Sequence, residues 1–425
     1  MRIAVVGSGI AGLSAAWLLS RRHQVTLFEA NRYLGGHTHT VEVDLEGLRA
    51  PVDTGFLVFN DRTYPNLVAM FGELGVESAV SDMSFSVRIE DSGLEWAGSS
   101  LATVFAQKRN LMNPDFWRML KDLVRFNREA TALARSGARV EGTLGQYLER
   151  GSYGQAFAEW YLLPMGGAIW SCSTGSMLDF PAETFFRFCD NHGLLQINGR
   201  PKWRTVVGGA REYVKRLSAA VPEVRLGQRV ARVLRRPGLV EVLTADGAHD
   251  FFDQVVIASH ADQALRMLGD ADPAERYLLS AFRFQSNRAV LHTDETFLPR
   301  SRDAWSAWNY HAGPADASGS PVSVTYLLNK LQPLPFRKAV MVTLNPYRGP
   351  APGTVIGEYD YDHPIFDQRA IAAQRRLHSI QGRRRTWFGG AWTGYGFHED
   401  GLKAGVAIAA ALGAQVPWAR AEEAA

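Results

Sequence analysis

The chain has 425 residues, 46% of them hydrophobic, enough to bury a large core and to divide into two domains. Its formal net charge of +3 carries no overall signature of nucleic-acid binding, and no nucleic-acid partner is expected. Two cysteines, Cys172 and Cys189, supply neither a disulfide framework nor metal-ligand spacing, which fits a reducing cytoplasm, and no apolar run reaches the roughly 20 residues of a membrane span.

The first thirty residues organise the rest. Arg2 to Val6 reads as a short buried parallel strand, Gly7-Ser8-Gly9-Ile10-Ala11-Gly12 follows at once, and a helical pattern runs to Ser20. Val25 to Phe28 is a second strand ending at Glu29, 22 residues after Gly7. Strand, glycine turn, helix, strand and acid in this order describe a dinucleotide site. Gly7 permits the tight turn, Gly9 lets backbone approach a pyrophosphate, and Gly12 lets the helix pack on the strand. Ile10 and Ala11 open the helix whose free N–H groups face the phosphates, and Glu29, with Ala30 beside it, accepts ribose hydroxyls. Ile3 to Leu19 is apolar behind Arg2 but has no A-x-A-like site before Arg21-Arg22, so this segment is expected to be kept rather than cleaved as a signal.

A second glycine pair, Gly35-Gly36, followed by His37-Thr38, comes soon after the acid, where an extended FAD needs a covering backbone loop. Asp53-Thr54-Gly55, after a hairpin over Val41 to Val52, is expected to bring another glycine turn near the isoalloxazine. In these motifs the chain resembles the FAD-dependent amine-oxidase-like superfamily, which includes amine oxidases and carotenoid desaturases. The resemblance implies an α/β fold: a Rossmann-like (GR2-type) FAD-binding domain from residues 1–75, 200–262 and 380–425. An inserted α+β substrate domain containing an antiparallel sheet would take residues 76–199 and 263–379. It also implies a backbone contact from Val230 on the adenine side and places Ala258, before the Ser259-His260 loop, beside the cofactor.

Between these motifs, Tyr64 to Leu74 is expected to be helical and Ser84 to Trp96 to form paired strands. Pro114 to Ala134 is expected to be an amphipathic helix capped by Asn113. Arg118, Lys121, Arg125 and Arg128 share one face of it, as either a solvated outer face or a membrane-surface face extended by Lys108 and Arg109. Leu163 to Ser171 reads as a loop-to-helix junction ahead of an aromatic cluster over Phe180 to Phe188, and His192 and Trp203 line a pocket or pack in the core. Gly208-Gly209 precedes a helix over Arg211 to Ala219. Strands follow over Val224 to Leu226, Val230 to Leu234, Val240 to Leu243 and Gln254 to Ala258. Ala289 to Thr293, Ala304 to Tyr310, Val322 to Leu328 and Ala339 to Leu344 alternate as an antiparallel sheet does. Its aromatic residues wall an apolar ligand or simply fill a core.

The chain closes with Gly389-Gly390-Ala391-Trp392-Thr393-Gly394-Tyr395-Gly396-Phe397-His398-Glu399-Asp400-Gly401, a helix to Leu412 and an Ala-rich tail. In the superfamily this helix aims its N–H groups at the flavin N1–C2=O edge, so Gly390, Ala391, Phe397 and His398 are implied cofactor contacts. The chain departs from the superfamily at His37, where amine oxidases often carry arginine, and at the neutral Ala391 and Trp392. It departs again at Phe397, where those enzymes hold a cage tyrosine. No cysteine follows Cys189, so FAD is expected to be noncovalent, and no metal is expected.

Gly35-Gly36-His37-Thr38, Val52 to Phe56, Asn191 to Leu195 and Gly396 to Gly401 resemble a narrower bacterial group associated with fatty-acid methylation. That group includes the methylated fatty-acyl desaturases of furan fatty acid synthesis. The implied activity is dehydrogenation of a methylated unsaturated acyl chain of a phospholipid, with O2 or another electron acceptor. Amine oxidation, a carotenoid-type desaturation or isomerisation, and a non-enzymatic flavoprotein are the competing readings. His398 and Glu399 are the candidate bases, with Glu399 alternatively only satisfying first-turn N–H groups. The expected location is cytoplasmic, with peripheral membrane contact if the basic face binds lipid.

Overall fold

The computed structural model describes residues 1–196, 199–313 and 322–419; the Ala-rich tail from 420 on lies outside them. Val- and Ile-rich runs too short for helices form a five-stranded parallel sheet in the order Glu223–Leu226, Gln24–Glu29, Arg2–Val6, Gln254–Ile257, Thr386–Phe388. Its three central strands are nearly continuous apolar runs because both faces are covered. One cover is the helix Ile10–Leu19, buried along its whole length because it is apolar all round. The last helix, His398–Ala411, lies against it so closely that a Cβ at Gly405 would come within 2.4 Å of the Ala11 carbonyl oxygen. Both helices begin at the carboxyl edge of the sheet. A small antiparallel sheet, Val230–Arg236, Leu239–Thr244 and His249–Phe252, closes over the other face.

A larger sheet runs in the order Val355–Ile365, Arg283–His292, Met341–Leu344, Ser323–Leu327, Trp308–Ala312, Phe85–Ile89, Leu94–Ala97. The four stretches expected to form an antiparallel sheet do pair antiparallel; the paired strands over Ser84 to Trp96 join the same sheet through Phe85–Ile89, which runs parallel to Trp308–Ala312, a long-range pairing that local periodicity cannot report. The strand expected from Ala304 starts only at Trp308, since Arg302–Ala304 is a 3₁₀ turn. The eleven-residue strand Val355–Ile365 was not foreseen.

Helices cover this sheet. Pro114–Ser136 starts at Asn113, whose Oδ1 accepts from the N–H of Asp115 (3.0 Å) and Phe116, and it buries Phe116, Met119, Phe126 and Ala130. Residues 163–171 are not a loop junction: Leu163–Trp170 continues helically out of a π-type turn, Ala158–Leu162. Ala182–Asn191 buries Phe185, Phe186 and Phe188 against it.

The expected domain edges meet two differences in packing. Val43, Val52 and Leu57, assigned by sequence to the FAD side, belong to the core of the larger sheet, whereas Leu278, Phe282, Ala370 and Leu377 belong to the core beside the parallel sheet. Apolar residues join whichever core the tertiary fold brings them to.

Candidate active site

The strand Arg2–Val6 delivers the chain into the turn at Gly7, whose φ of +100° only glycine adopts readily. Gly9 caps the helix Ile10–Leu19, and no side chain bonds to the first-turn N–H groups there. A Cβ built on Gly9 meets no protein atom within 4 Å, while one on Gly12 would fall 1.8 Å from the Gly7 carbonyl oxygen. Gly12 is thus demanded by packing, and Gly9 leaves clear the space in front of the helix end. That space, with free N–H groups behind it, suits a pyrophosphate. Glu29 stands behind the turn: its Oε2 accepts from the Ser8 N–H (2.9 Å) and hydroxyl (2.5 Å), and its Oε1 accepts from the Asn31 N–H (2.8 Å). It therefore braces the turn as well as having lone pairs left for ribose. Ala30 is exposed beside it.

Three loops close over the turn. In the first, the Gly35 N–H donates to the Ser8 carbonyl (3.1 Å), and a Cβ on Gly36 would lie 3.2 Å from Gly9 Cα. His37 and Thr38 follow directly. The second loop, Ala258 to His260, leaves the carboxyl end of the strand next to Arg2–Val6, with the Ala258 carbonyl against Gly7. The third is the C-terminal glycine motif, where Trp392 Nε1 donates to the Ser259 carbonyl (3.1 Å) and a Cβ on Gly401 would touch Ile10. Gly390 and Ala391 lie in that motif. Ligands of open α/β sheets sit in the crevice outside the carboxyl ends of the strands, which is where all of these residues meet. Val230, at the start of its strand, packs with Val6 and Phe28 at the same edge.

Asp53 departs from expectation. Its carboxylate is buried, accepting from the Thr40 hydroxyl (2.5 Å), the Ala210 N–H (2.9 Å) and Gln332 Nε2 (2.8 Å), and burial raises its pKa to about 7. It ties the hairpin Thr40–Leu45/Leu48–Asp53 to the start of the helix Arg211–Ala219. Thr54 is likewise internal, bonded to His39 Nδ1 (2.8 Å) and the Tyr361 hydroxyl (2.7 Å). Gly55 alone of the three reaches the covering loop, passing so close to the His37 carbonyl that a Cβ would clash at 2.1 Å.

Neither candidate base at the last helix is suited to that role. Both Glu399 oxygens are taken by the helix Pro65–Leu74: Oε1 accepts from the Asn66 N–H (3.0 Å) and Nδ2 (2.7 Å), Oε2 from the Leu67 N–H (3.0 Å). It satisfies first-turn donors, but of another helix. His398 stacks on Phe56 (3.8 Å between centroids) with its Nε2 against the Tyr213 hydroxyl (2.5 Å), and Tyr213 in turn bonds Thr38. Burial lowers its pKa to about 3, so it is a neutral, weakly basic imidazole that positions Tyr213 and Thr38. Asp400, which the sequence reading passed over, accepts from the Phe397 N–H (3.0 Å) and is raised by burial to about 6.

Phe397 joins an aromatic wall. Its ring stacks on Phe188 (5.0 Å), which also stacks on His192 (3.9 Å) and packs on Trp170 (4.6 Å) and Tyr395 (5.6 Å). Burial lowers the His192 pKa to about 4, so this wall is neutral. Trp203, by contrast, is a strand residue packed on Tyr64. Across the cleft, Tyr361 and His363 project from one face of Val355–Ile365 toward His37, at 5.1 and 5.3 Å between centroids. The Tyr-Asp-Tyr-Asp-His alternation was visible in the sequence but nothing local tied it to the glycine turn.

Together these features define a flavoprotein on a dinucleotide-binding α/β fold, with the space before Gly9 and Gly36 suited to a pyrophosphate. The chain belongs to the family of flavin-containing amine oxidoreductases, whose model matches residues 10–326, and is an FAD-dependent oxidoreductase. Over 128 residues it is 34% identical to a carotenoid phi-ring synthase of Chlorobaculum tepidum, covering 28% of this chain but only 19% of that protein. Over 47 residues it is 49% identical to an L-amino-acid oxidase of Pseudechis australis, 11% of this chain and 9% of the oxidase. In fold it is similar to a CLA-producing fatty acid isomerase from P. acnes (TM-score 0.68, 16% identity, 97% of this chain and 98% of that one). It is similar also to putrescine oxidase bound to putrescine (TM-score 0.67, 15% identity, 98% and 100%). At such identities the likeness is one of fold.

Proposed function

We propose that this oxidoreductase dehydrogenates an apolar substrate, a methylated unsaturated acyl chain of a phospholipid, to a conjugated diene. The observation that carries the reading is the neutral aromatic wall of Trp170, Phe188, His192, Tyr395 and Phe397 at the head of the last helix. It offers an acyl chain apolar contact. FAD held by the Gly9 turn and the Gly36 loop would supply a two-electron acceptor for hydride from an allylic C–H, with O2 or another acceptor reoxidising it. An allylic position is needed because the developing positive charge spreads into the alkene. The chain's part is to hold the acyl chain against the wall, exclude water, and take the proton from the neighbouring carbon.

A lipid substrate also calls for a docking surface. Arg118 pairs with Asp115, and Arg125 pairs with Asp122 and lies over the Tyr153 ring, so the four-residue basic face read from sequence is partly neutralised. The outward face is instead Trp117, Lys121, Val124 and Arg128, with Met112 before it; Met112 is 89%, Trp117 50% and Val124 56% exposed. Apolar and basic side chains interleaved on one helix face suit an anionic lipid surface. No helix among the described residues is long and apolar enough to cross a membrane.

The matches to carotenoid phi-ring synthases favour a second apolar substrate class, a carotenoid-type polyene. Anaerobic mixing of holoenzyme with methylated unsaturated phospholipid, its saturated counterpart, a carotenoid and a panel of amines decides among them. Flavin bleaching by the unsaturated phospholipid alone is expected. Bleaching only by amines, or only by the carotenoid, would overturn the acyl-lipid reading.

A further inference from the structure

We propose that His37, His260 and His363 form an imidazole clamp on the FAD pyrophosphate, and that loading the cofactor draws one proton from solvent into this clamp. The three rings come from three separate elements: the covering loop after Gly36, the loop at the carboxyl end of Gln254–Ile257, and the strand Val355–Ile365. His37 lies 5.3 Å from His363 and 6.3 Å from His260 between centroids, and it is the residue next to Gly36, which touches Gly9. His37 Nε2 is buried and has no hydrogen-bond partner, an unmet polar atom beside the phosphate turn. The rings are deeply set yet each keeps some accessible surface, as residues lining an internal cleft do.

The charges around the clamp determine its proton count. Facing His37 are Tyr361 and His363 from the strand, His260 from its loop, and His398 from the last helix, with the Asp362 carbonyl opposing them. Asp362 and Asp262 stand near His260 and favour its protonation, while Arg266 opposes it; Asp362 also faces His363. Without an anion burial lowers all three rings, His37 well below its ordinary value and His363 to about 4, and the neighbouring imidazoles add to this at His37 and His363. A pyrophosphate placed among them reverses the local field and stabilises an imidazolium that donates to phosphate oxygen. A second proton would face the first, so uptake stops at one.

Titration calorimetry of apoprotein with FAD at pH 7.5, in two buffers of different ionisation heat, reads the proton directly. About one proton taken up per FAD is expected, with affinity weakening toward tenfold per pH unit as pH rises from 7 to 8. Riboflavin, which lacks the phosphates, should bind without uptake. His37→Arg, carrying a fixed charge, should bind FAD with little uptake and little pH dependence, and His37→Gln should bind more weakly, circular dichroism confirming that each is folded. His363→Gln serves as the second removal if His37→Gln does not fold. No uptake by the wild type, equal uptake with riboflavin, or unchanged uptake in His37→Arg would each overturn the proposal. None of these measurements involves substrate, so they stand apart from the acyl-lipid reading.

Discussion

Gly9 and Gly12 lie three residues apart in one motif, and the structure assigns them different tasks that substitution can separate. At Gly9 the backbone is extended (φ −63°, ψ 177°) and a Cβ meets no protein atom within 4 Å, so Gly9→Val costs the apoprotein only the weaker helix cap, about 1 kcal/mol. The valine side chain instead fills the space in front of the helix N–H groups. Losing two charge-assisted hydrogen bonds to phosphate, at about 1.5–3 kcal/mol each, lowers FAD affinity by roughly 10²–10⁴-fold. At Gly12 the added Cβ would stand 1.8 Å from a backbone oxygen, which no rotamer can relieve, so Gly12→Val should cost more than about 3 kcal/mol of stability. Thermal melts of both apoproteins by circular dichroism, with FAD titrations followed by tryptophan fluorescence, give the two readouts. The expected pattern is a near-native melt without FAD binding for Gly9→Val, and a lowered melt for Gly12→Val. Near-native FAD affinity in Gly9→Val, or a near-native melt in Gly12→Val, would refute the assignment.

Glu399→Gln should cost about 1–3 kcal/mol of stability by weakening the cap on Pro65–Leu74, yet leave anaerobic flavin reduction in the FAD-loaded fraction unchanged. Asp400→Asn should likewise cost about 0.5–2 kcal/mol of stability by weakening the cap at Phe397, read in the same melts. Wild-type protein should sediment with anionic vesicles at low salt, and reversing Lys121 and Arg128 should cost up to about 1 kcal/mol each, with Trp117→Ser and Met112→Ser weakening binding further. Protein that ignores such vesicles has a merely solvated face. Five histidines are held neutral by burial, His192, His292, His311 and His363 at about 4 and His398 at about 3. Because these folded values lie below the unfolded one, their contribution is full above about pH 6.5 and is lost as pH falls toward 4. Denaturant unfolding of the apoprotein between pH 6 and 4.5 should lose stability with the slope of at least about two protons, and a flat profile would contradict their neutrality.

The dinucleotide turn was legible in the sequence because it is local. Gly7, Gly9, Gly12 and Glu29 belong to one strand-helix-strand unit whose hydrogen bonds close within thirty residues, so spacing alone specifies what each must do. The Asn113 cap and the inner stripe of Pro114–Ser136 were legible for the same reason. Side chains whose partners lie far along the chain were not. Glu399 has a sound position for a base at a helix start, yet Asn66 and Leu67 claim both its oxygens. Asp53 sits in a glycine motif, yet Thr40, Ala210 and Gln332 turn it inward. Residues 37, 260 and 363 share no pattern until the covering loop, the end of a parallel strand and the edge strand Val355–Ile365 bring three imidazoles around one turn. Periodicity encodes which face of an element is apolar, but which polar groups find one another is decided by the pairing of distant strands and the close packing of the two helices that start at Gly9 and Phe397.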